Sequence, residues 1–329
     1  MSPARTSHNN LRSRFTITVP ALSFIVEPYL SGVRIDTFLQ RQLRNYTTWR
    51  IYRMVENGAA EVNDLAAQAN QRVFRGQTVK IRLLEPPDKL LTPEKIALDI
   101  VYEDPWLMVI GKPVGIVAHP VGEYQDATLS NALQHHLDQQ TVARGLLRPG
   151  IVHRLDRMTS GLIVVTKDHL AHRRLSLDFQ ANRPQKTYVA LAHGRAEFES
   201  REINVPIGVD PSGSSVLMST SSDARKKRQA RTDVTVLQRG REMTLFSCRL
   251  HTGRNHQIRV HLAHIGQSIV GDEFYGGEST SGYSRHALHA SELTFEHPIL
   301  QTELTFRSQI PEDMAIMLPD ELRGVSADG

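Results

Sequence analysis

The sequence predicts an α+β protein, in which a mixed, mainly antiparallel sheet with flanking helices is preceded by a small α/β module. Three observations carry this reading. Apolar runs of strand length recur beyond residue 97 without regular alternation with helical patterns, which argues against a doubly wound parallel sheet. Pro86-Pro87-Asp88-Lys89 and Thr92-Pro93 interrupt regular structure and mark a linker. The charge is unevenly placed: residues 1–96 hold fourteen Lys and Arg against eight Asp and Glu, a net +6, whereas the remainder holds twenty-five against twenty-seven, a net −2. A basic segment ahead of a near-neutral one suggests a polyanion-binding module joined to a working domain. An arginine-rich solvated helical surface is the plainer alternative.

The elements follow in order. Residues 1–20 read as a flexible tail and 21–86 as the module. Ile35, Phe38, Leu39 and Leu43 follow helical spacing, with Arg34, Arg41 and Arg44 off that stripe. Thr47 or Thr48 can cap a second helix whose buried face is Ile51, Met54 and Val55, leaving Arg50 and Arg53 outside. Gly58 ends it, and short strands are expected at Glu61–Asn63 and Gln77–Leu83. After a linker at 87–96, the larger domain spans 97–314, with a C-terminal tail at 315–329. Its strands are expected at Leu107–Ile110, Leu162–Thr166, Thr187–Ala192, Val234–Leu237, Thr244–Leu250 and Leu288–Phe295. Helices are expected at Leu129–Leu137 and around Ile258–Ile265. No internal repeat occurs at a fixed period.

Several function classes are set aside. No apolar run is long enough to span a bilayer, and the N-terminus lacks the apolar core of a secretory signal. A single cysteine, Cys248, excludes an internal disulfide and a Cys-rich zinc site. The spacing of His251, His256, His261 and His264 matches no closed zinc set, and no P-loop or dinucleotide fingerprint is present. A protein of the cytoplasm, without metal, is expected.

The segment most suggestive of chemistry is His153-Arg154-Leu155-Asp156-Arg157-Met158-Thr159-Ser160-Gly161-Leu162. It sets one carboxylate between two guanidinium groups in a turn that opens onto a β-branched run. Such an aspartate stays ionised at neutral pH, which suits a nucleophile or electrostatic catalyst and equally a surface ion pair or turn cap. Three further blocks accompany it: Lys112-Pro113-Val114-Gly115-Ile116-Val117-Ala118-His119-Pro120, Lys186-Thr187-Tyr188-Val189-Ala190-Leu191, and Leu250-His251-Thr252-Gly253-Arg254-Asn255-His256-Gln257-Ile258-Arg259-Val260-His261-Leu262.

In order and spacing these four blocks closely resemble the RluA family of RNA pseudouridine synthases. The resemblance runs from about residue 97 to 310 and takes in Gly271-Asp272, Tyr275-Gly276, Arg285-His286-Ala287-Leu288-His289-Ala290 and His297-Pro298. Asn255 stands where that family usually has Thr, one helix-capping residue exchanged for another. The stretch Gly32-Val33-Arg34-Ile35-Asp36-Thr37-Phe38-Leu39, with Gly58 and Val62-Asn63 downstream, resembles the alpha-L RNA-binding motif. Ile35 replaces its usual Leu, Ala60 its common Val, and Asp64 its usual Gly.

The resemblance implies a pseudouridine synthase fold and isomerisation of uridine to pseudouridine in structured RNA, with no cofactor. Large-subunit rRNA is the favoured substrate, transfer RNA a further candidate, and a monomer the simplest state. Asp156 would be the essential carboxylate, attacking sugar or base or removing a sugar proton, and Arg259 its bidentate charge partner. Tyr188 would stack on the uracil and assist loss of the C5 proton, while Arg154 fills the stack the base leaves. Leu262 would pack against the base, and Arg157 and Arg254 would contact substrate. Lys112 and Pro113 would shape the cleft floor. RNA phosphates would meet Arg34, Arg41, Arg44, Arg50 and Arg53, and also Lys226, Lys227 and Arg228 in a polar loop before a strand. Two other readings stay open: a non-catalytic RNA-binding or ribosome-assembly factor keeping the synthase fold, and an N-glycosidase, which needs a second catalytic carboxylate.

Overall fold

The computed structural model describes residues 21–44, 46–83, 91–140, 147–212, 216–278, 283 and 285–318. The expected tail at 1–20 and most of the expected C-terminal tail lie outside these residues. The chain divides into two units, Met1–Lys89 and Leu90–Gly329.

The first unit packs two helices, α1 (Ile35–Gln42) and α2 (Thr48–Glu56), with four strands: β1 (Ala21–Ile25), β2 (Ala60–Val62), β3 (Leu65–Ala66) and β4 (Thr78–Arg82). The sheet order is β1-β4-β2-β3. Ile35, Phe38 and Leu39 of α1 and Ile51, Met54 and Val55 of α2 are all buried, as the helical spacing requires. Thr47 Oγ1 accepts a hydrogen bond from the Arg50 amide at 3.3 Å and so caps α2. Asn63 and Asp64 both have positive φ, 49° and 66°, in the two-residue turn that joins β2 to β3. That turn type wants Gly at its second position, and Asp is among the residues that tolerate the left-handed region. The Asp64 departure therefore fits the turn geometry.

The second unit is built on one ten-stranded sheet. Its strands are β5 (Asp99–Glu103), β6 (Leu107–Lys112), β7 (Gly150–Ile151), β8 (Ser160–Thr166), β9 (Gln185–His193), β10 (Ser200–Asn204), β14 (Arg231–Arg239), β15 (Met243–Leu250), β16 (Leu288–Glu296) and β17 (Glu303–Arg307). The main path runs β10-β14-β15-β9-β16-β8-β6-β5, with β7 beside β8 and β17 beside β16. All pairs are antiparallel except β16 with β8, which touch at His289 opposite Ser160 and Ala290 opposite Gly161. Beyond that contact β16 turns to β17, pairing from Glu292–Arg307 to Glu296–Glu303. Three short strands, β11 (Ile207–Val209), β12 (Met218–Ser219) and β13 (Arg225–Arg228), make a separate sheet. The basic run expected in a loop is thus strand β13, paired with β11, and all four of its residues are exposed.

Strand β8 is buried along its whole length because both sheet faces are covered. Ile163 and Val165 pack with Met108, Ile110 and the Leu129, Leu133 and Leu137 stripe of α3 (Leu129–Asp138). Leu162 and Val164 point the other way, with Leu107, Val109, Leu293 and Leu175 of α4 (His169–Gln180). Helix α4 has no clean apolar stripe: Leu170 and Leu177 are exposed, and only Ala171 and Leu175 are buried. The third core, beneath β9 and β15, includes Leu191, Phe246, Leu262 of α5 (Gln257–His264), and Met314 and Leu318 at the end of α6 (Glu312–Met317). The chain is therefore part of this core through Leu318, four residues past the boundary read from the sequence.

Gly161, at the head of β8, sits where β16 crosses closest. A Cβ there would lie 2.2 Å from Ala290 O and 2.6 Å from Ala290 N, and its φ is +113°. Gly161→Ala is expected to cost at least about 2 kcal/mol, from strained φ and a backbone clash together, read as a lowered Tm. An unchanged Tm would contradict this account of the crossing.

Candidate active site

The Asp156 turn is held by backbone and side-chain contacts from three directions. Its own closure is the Thr159 amide donating to Asp156 O at 3.0 Å. From β6, the buried Lys112 ammonium donates to Pro113 O, Ile116 O and Arg157 O at 2.8, 3.0 and 3.2 Å, and the Gly115 amide also donates to Arg157 O. Burial with the charge of Arg285 nearby lowers Lys112 to about 8, against the attraction of Asp156. From the Arg285–Leu288 side, Thr159 Oγ1 hydrogen bonds His286 Nε2 at 2.7 Å and Ser160 Oγ hydrogen bonds His289 Nδ1 at 2.9 Å. His153 belongs to the scaffold too: its Nε2 accepts from the Val164 amide at 3.0 Å, and its ring stacks on Phe179. Burial drives His153 to about 3, so it is a neutral acceptor at pH 7.

The charge partner of Asp156 comes from α5, over a hundred residues on. Arg259 Nη1 donates to Asp156 Oδ2 at 3.1 Å. Its other edge is taken by Asp272, with Nε to Oδ2 at 2.6 Å and Nη2 to Oδ1 at 2.8 Å. The bidentate pair expected between Arg259 and Asp156 is therefore made with Asp272 instead. The reason is geometric: one guanidinium edge offers parallel donors to a coplanar carboxylate, and the buried Asp272 occupies it. Asp156 receives a donor from Nη1 and keeps 23% of its side chain accessible, whereas Arg259 is 4% exposed.

Burial pushes the Asp156 carboxyl up, but the charges of His256, Arg259 and His286 and the Arg259 hydrogen bond outweigh it, so its pKa falls below the ordinary value. Burial lowers both His256 and His286, the latter to about 3, so Arg259 supplies the lasting positive charge at neutral pH. Tyr188 is pushed upward by burial and by the Asp156 charge, which keeps its hydroxyl protonated. His256 enters α5 in a left-handed conformation, φ 54°, with Nε2 3.8 Å from Asp156 Oδ2 and Nδ1 hydrogen bonded to Tyr275 Oη at 2.7 Å. Asn255 is not the cap of this helix; His256 occupies that position. The turn is braced by Gln257, whose Oε1 accepts from Thr252 Oγ1 and the Arg254 amide.

Asp156 lies where two cavities meet. One, of about 510 Å³, is lined by Arg154, Tyr188, Lys186, Gly253 and Ile258 among others. The other, of about 1150 Å³, is lined by Tyr124, Arg157, Phe274, Tyr283 and Asp272 among others. Arg154, Asp156, His256 and Arg259 belong to both. A carboxylate held ionised and oriented, with an aromatic ring beside it and open space on two sides, can act on a sugar whose base and neighbouring nucleotide occupy different pockets.

The chain is similar in sequence and in fold to known proteins. Residues 106–264 match the family model described as RNA pseudouridylate synthase. Over 285 residues the chain is 36% identical to an RNA pseudouridine synthase of Bacillus subtilis, covering 87% of this chain and 93% of that one. The chain belongs to the RNA pseudouridine synthase family. It is 33% identical over 324 residues to the ribosomal large subunit pseudouridine synthase D of Neisseria meningitidis serogroup A, covering 95% of this chain and 83% of that protein, in keeping with the RluA type. The solved structure of human RNA pseudouridylate synthase domain containing 1 shares the fold, with a TM-score of 0.54 at 24% identity, covering 68% of this chain and 86% of that one.

Within this synthase the expected site residues divide. Asp156, Tyr188, Arg259, Arg154 and Arg254 line the smaller cavity together. Arg157 lines the larger one, its guanidinium over the Tyr124 ring at 5.1 Å. Leu262, expected against the base, is instead fully buried in the core beneath the sheet and lines neither cavity, because it lies on the face of α5 turned inward. In the first unit Arg41 and Arg53 are exposed, Arg53 over the Trp49 ring at 4.7 Å, and Arg44 and Arg50 are half-buried. Arg34 is committed to Asp36 at 2.6 Å. Asp272 has no role assigned from the sequence, its only signal being the Gly271-Asp272 pair within the family resemblance; Lys112, expected to shape the cleft floor, gathers the carbonyls of Pro113, Ile116 and Arg157. Among the described residues no helix is long and apolar enough to cross a membrane.

Asp272→Asn leaves Arg259 buried with half its charge compensation. It is expected to destabilise the synthase by about 3 kcal/mol in denaturant unfolding. A loss below about 1 kcal/mol would show that Asp272 is not the anchor of Arg259.

Proposed function

We propose that this synthase isomerises uridine to pseudouridine in structured RNA, with large-subunit ribosomal RNA as substrate. The observation that carries the reading is Asp156, ionised and oriented by the Asp272-anchored Arg259, at the junction of two cavities beside Tyr188. Relatives that cover most of the chain, such as that of Neisseria, are named for the large ribosomal subunit. The target base enters the smaller cavity against Tyr188, and its sugar meets Asp156. The carboxylate then either attacks the sugar or removes a sugar proton; both need the anion that Arg259 maintains. Arg154, exposed at the mouth of both cavities, fills the stack vacated by the flipped base. Arg157 and Arg254 contact the RNA beside it.

Isomerisation is redox-neutral and moves no group between molecules, so the chemistry itself calls for no cofactor. The proposal has the enzyme act as a monomer in the cytoplasm. Its first unit, read as an alpha-L module, contributes Arg41, Arg44, Arg50 and Arg53 to phosphate attraction, the charge of Arg34 being engaged by Asp36. A hydrolytic N-glycosidase is disfavoured by Asp272, the second carboxylate at hand. Both of its oxygens are bound by Arg259 and its side chain is 1% exposed, so it is not placed to activate water.

The test is pseudouridine mapping by carbodiimide-dependent primer-extension stops on total RNA from cells with and without the gene. A stop absent in the knockout and restored by the wild type, but not by Asp156→Asn, is the expected result. Unchanged stops in ribosomal and transfer RNA would favour the binding-factor reading. Separately, neutralising Lys226, Lys227 and Arg228 together should weaken RNA binding and flatten its log–log salt dependence by about 2. An unaltered slope would remove β13 from the RNA contact surface.

A further inference from the structure

Five cationic side chains are buried among the described residues of the sheet domain: Lys112, Lys167, Lys186, Arg259 and Arg285. Four have partners that account for them. Lys112 donates to three carbonyls, Lys167 pairs with Glu103 at 2.7 Å, Arg259 with Asp272 and Asp156, and Arg285 with Asp313 at 2.7 Å. Lys186 is 8% exposed and, among the described residues, has neither a hydrogen-bond acceptor nor a carboxylate. Its ammonium lies over the face of Phe179, 5.8 Å from the ring centre, and beside Gly253, where an added Cβ would stand 3.8 Å from Nζ. Burial accordingly pushes its pKa down from the ordinary lysine value. The ammonium is not among the fully enclosed unpartnered side-chain atoms, so it opens onto the cavity that Lys186 lines, and a largely desolvated cation left without a partner in a cleft marks a functional-site candidate.

The place of Lys186 says what it waits for. It lies two residues before Tyr188 on β9, so both side chains leave the same face of the sheet, and both line the smaller cavity. Asp156 lines the same cavity but is not among the charges that shift Lys186. A base whose sugar lies against Asp156 and whose ring lies against Tyr188 extends its carbonyl edge away from the carboxylate. In either sugar-centred route, the N1–C1′ bond breaks with its electron pair passing to the uracil. The base leaves as a monoanion whose charge is shared by N1, O2 and O4. It then re-adds through C5 to C1′, and the C5 proton is released.

Resting on the functional reading above, we propose that Lys186 is a catalytic residue, its ammonium donating to a carbonyl oxygen of the target uracil and stabilising the negative charge that appears when the N-glycosidic bond breaks. The unpartnered cation is the binding site for an anion that exists only during the reaction, so its contribution falls on the chemical step and not on RNA affinity.

The experiment is single-turnover kinetics with the full-length enzyme, using total RNA from cells lacking the gene and following the stop at the mapped uridine. Lys186→Met should lower the maximal rate 100- to 1000-fold, as for loss of one oxyanion donor, while the half-saturating enzyme concentration shifts less than threefold. Its Tm should equal or exceed that of the wild type, because the unpaired buried charge is gone. Lys186→Ala should regain at least tenfold in rate with ethylammonium, and nothing with tetramethylammonium at equal ionic strength. A maximal rate within threefold of wild type overturns the proposal. So does a raised half-saturation at unchanged rate, which would make Lys186 a phosphate anchor. A lowered Tm in both variants without amine rescue would make it structural. Failure of the wild type itself to form pseudouridine would instead sink the functional reading, and the proposal with it.

Discussion

One guanidinium shared between two carboxylates organises this enzyme. Arg259 has three donors in use: two fixed on the buried Asp272 and one aimed at the partly accessible Asp156. A buried ion pair seldom adds net stability, because desolvation offsets attraction. What it secures here is orientation. Asp272 neutralises Arg259 in the core and fixes its plane, so that Nη1 meets Asp156 at a set angle while the carboxylate keeps part of its surface accessible. The aspartate turn, helix α5 and the Gly271–Asp272 segment are thereby joined through one planar group.

The scaffold around that group is rigid for a backbone reason. The turn bearing Asp156 runs directly into β8, whose first residues make the sheet's only parallel contact among the described strands. Gly161 permits the approach of β16, and β16 carries in the residues around it the imidazoles that hold Thr159 and Ser160. On the other side Lys112 gathers three carbonyls, one of them from Arg157. His153, His286, His289 and Lys112 are thus neutral or saturated, engaged in holding the peptide on either side of Asp156. Rigidity of this kind suits catalysis by orientation, where small displacements are expensive.

Much was readable from the residues alone. The apolar runs located strands β6, β8, β9, β14, β15 and β16 and helices α3 and α5, because buried strands and strong stripes leave a direct imprint on sequence. The mixed sheet followed from their irregular order. Asp156, Tyr188 and Arg259 stood out through the spacing of four blocks, and the structure gathers them about one cavity. Helix α4 escaped notice because two of its leucines face solvent, and the basic run at 225–228 looked like a loop because an exposed short strand has no apolar face to reveal it.

By itself, then, the sequence determined the main strands and pointed to Asp156, Tyr188 and Arg259, which line one cavity. Those depend on local pattern and on composition, which are written along the chain. Tertiary structure alone decided which carboxylate receives the bidentate face of Arg259, that Leu262 turns inward, and that Lys186 is left without a counter-charge inside a cavity. Each of these depends on where strands β9 and β16 and helix α5 bring residues that lie far apart in sequence, and on whether a partner is within about 3 Å when they arrive.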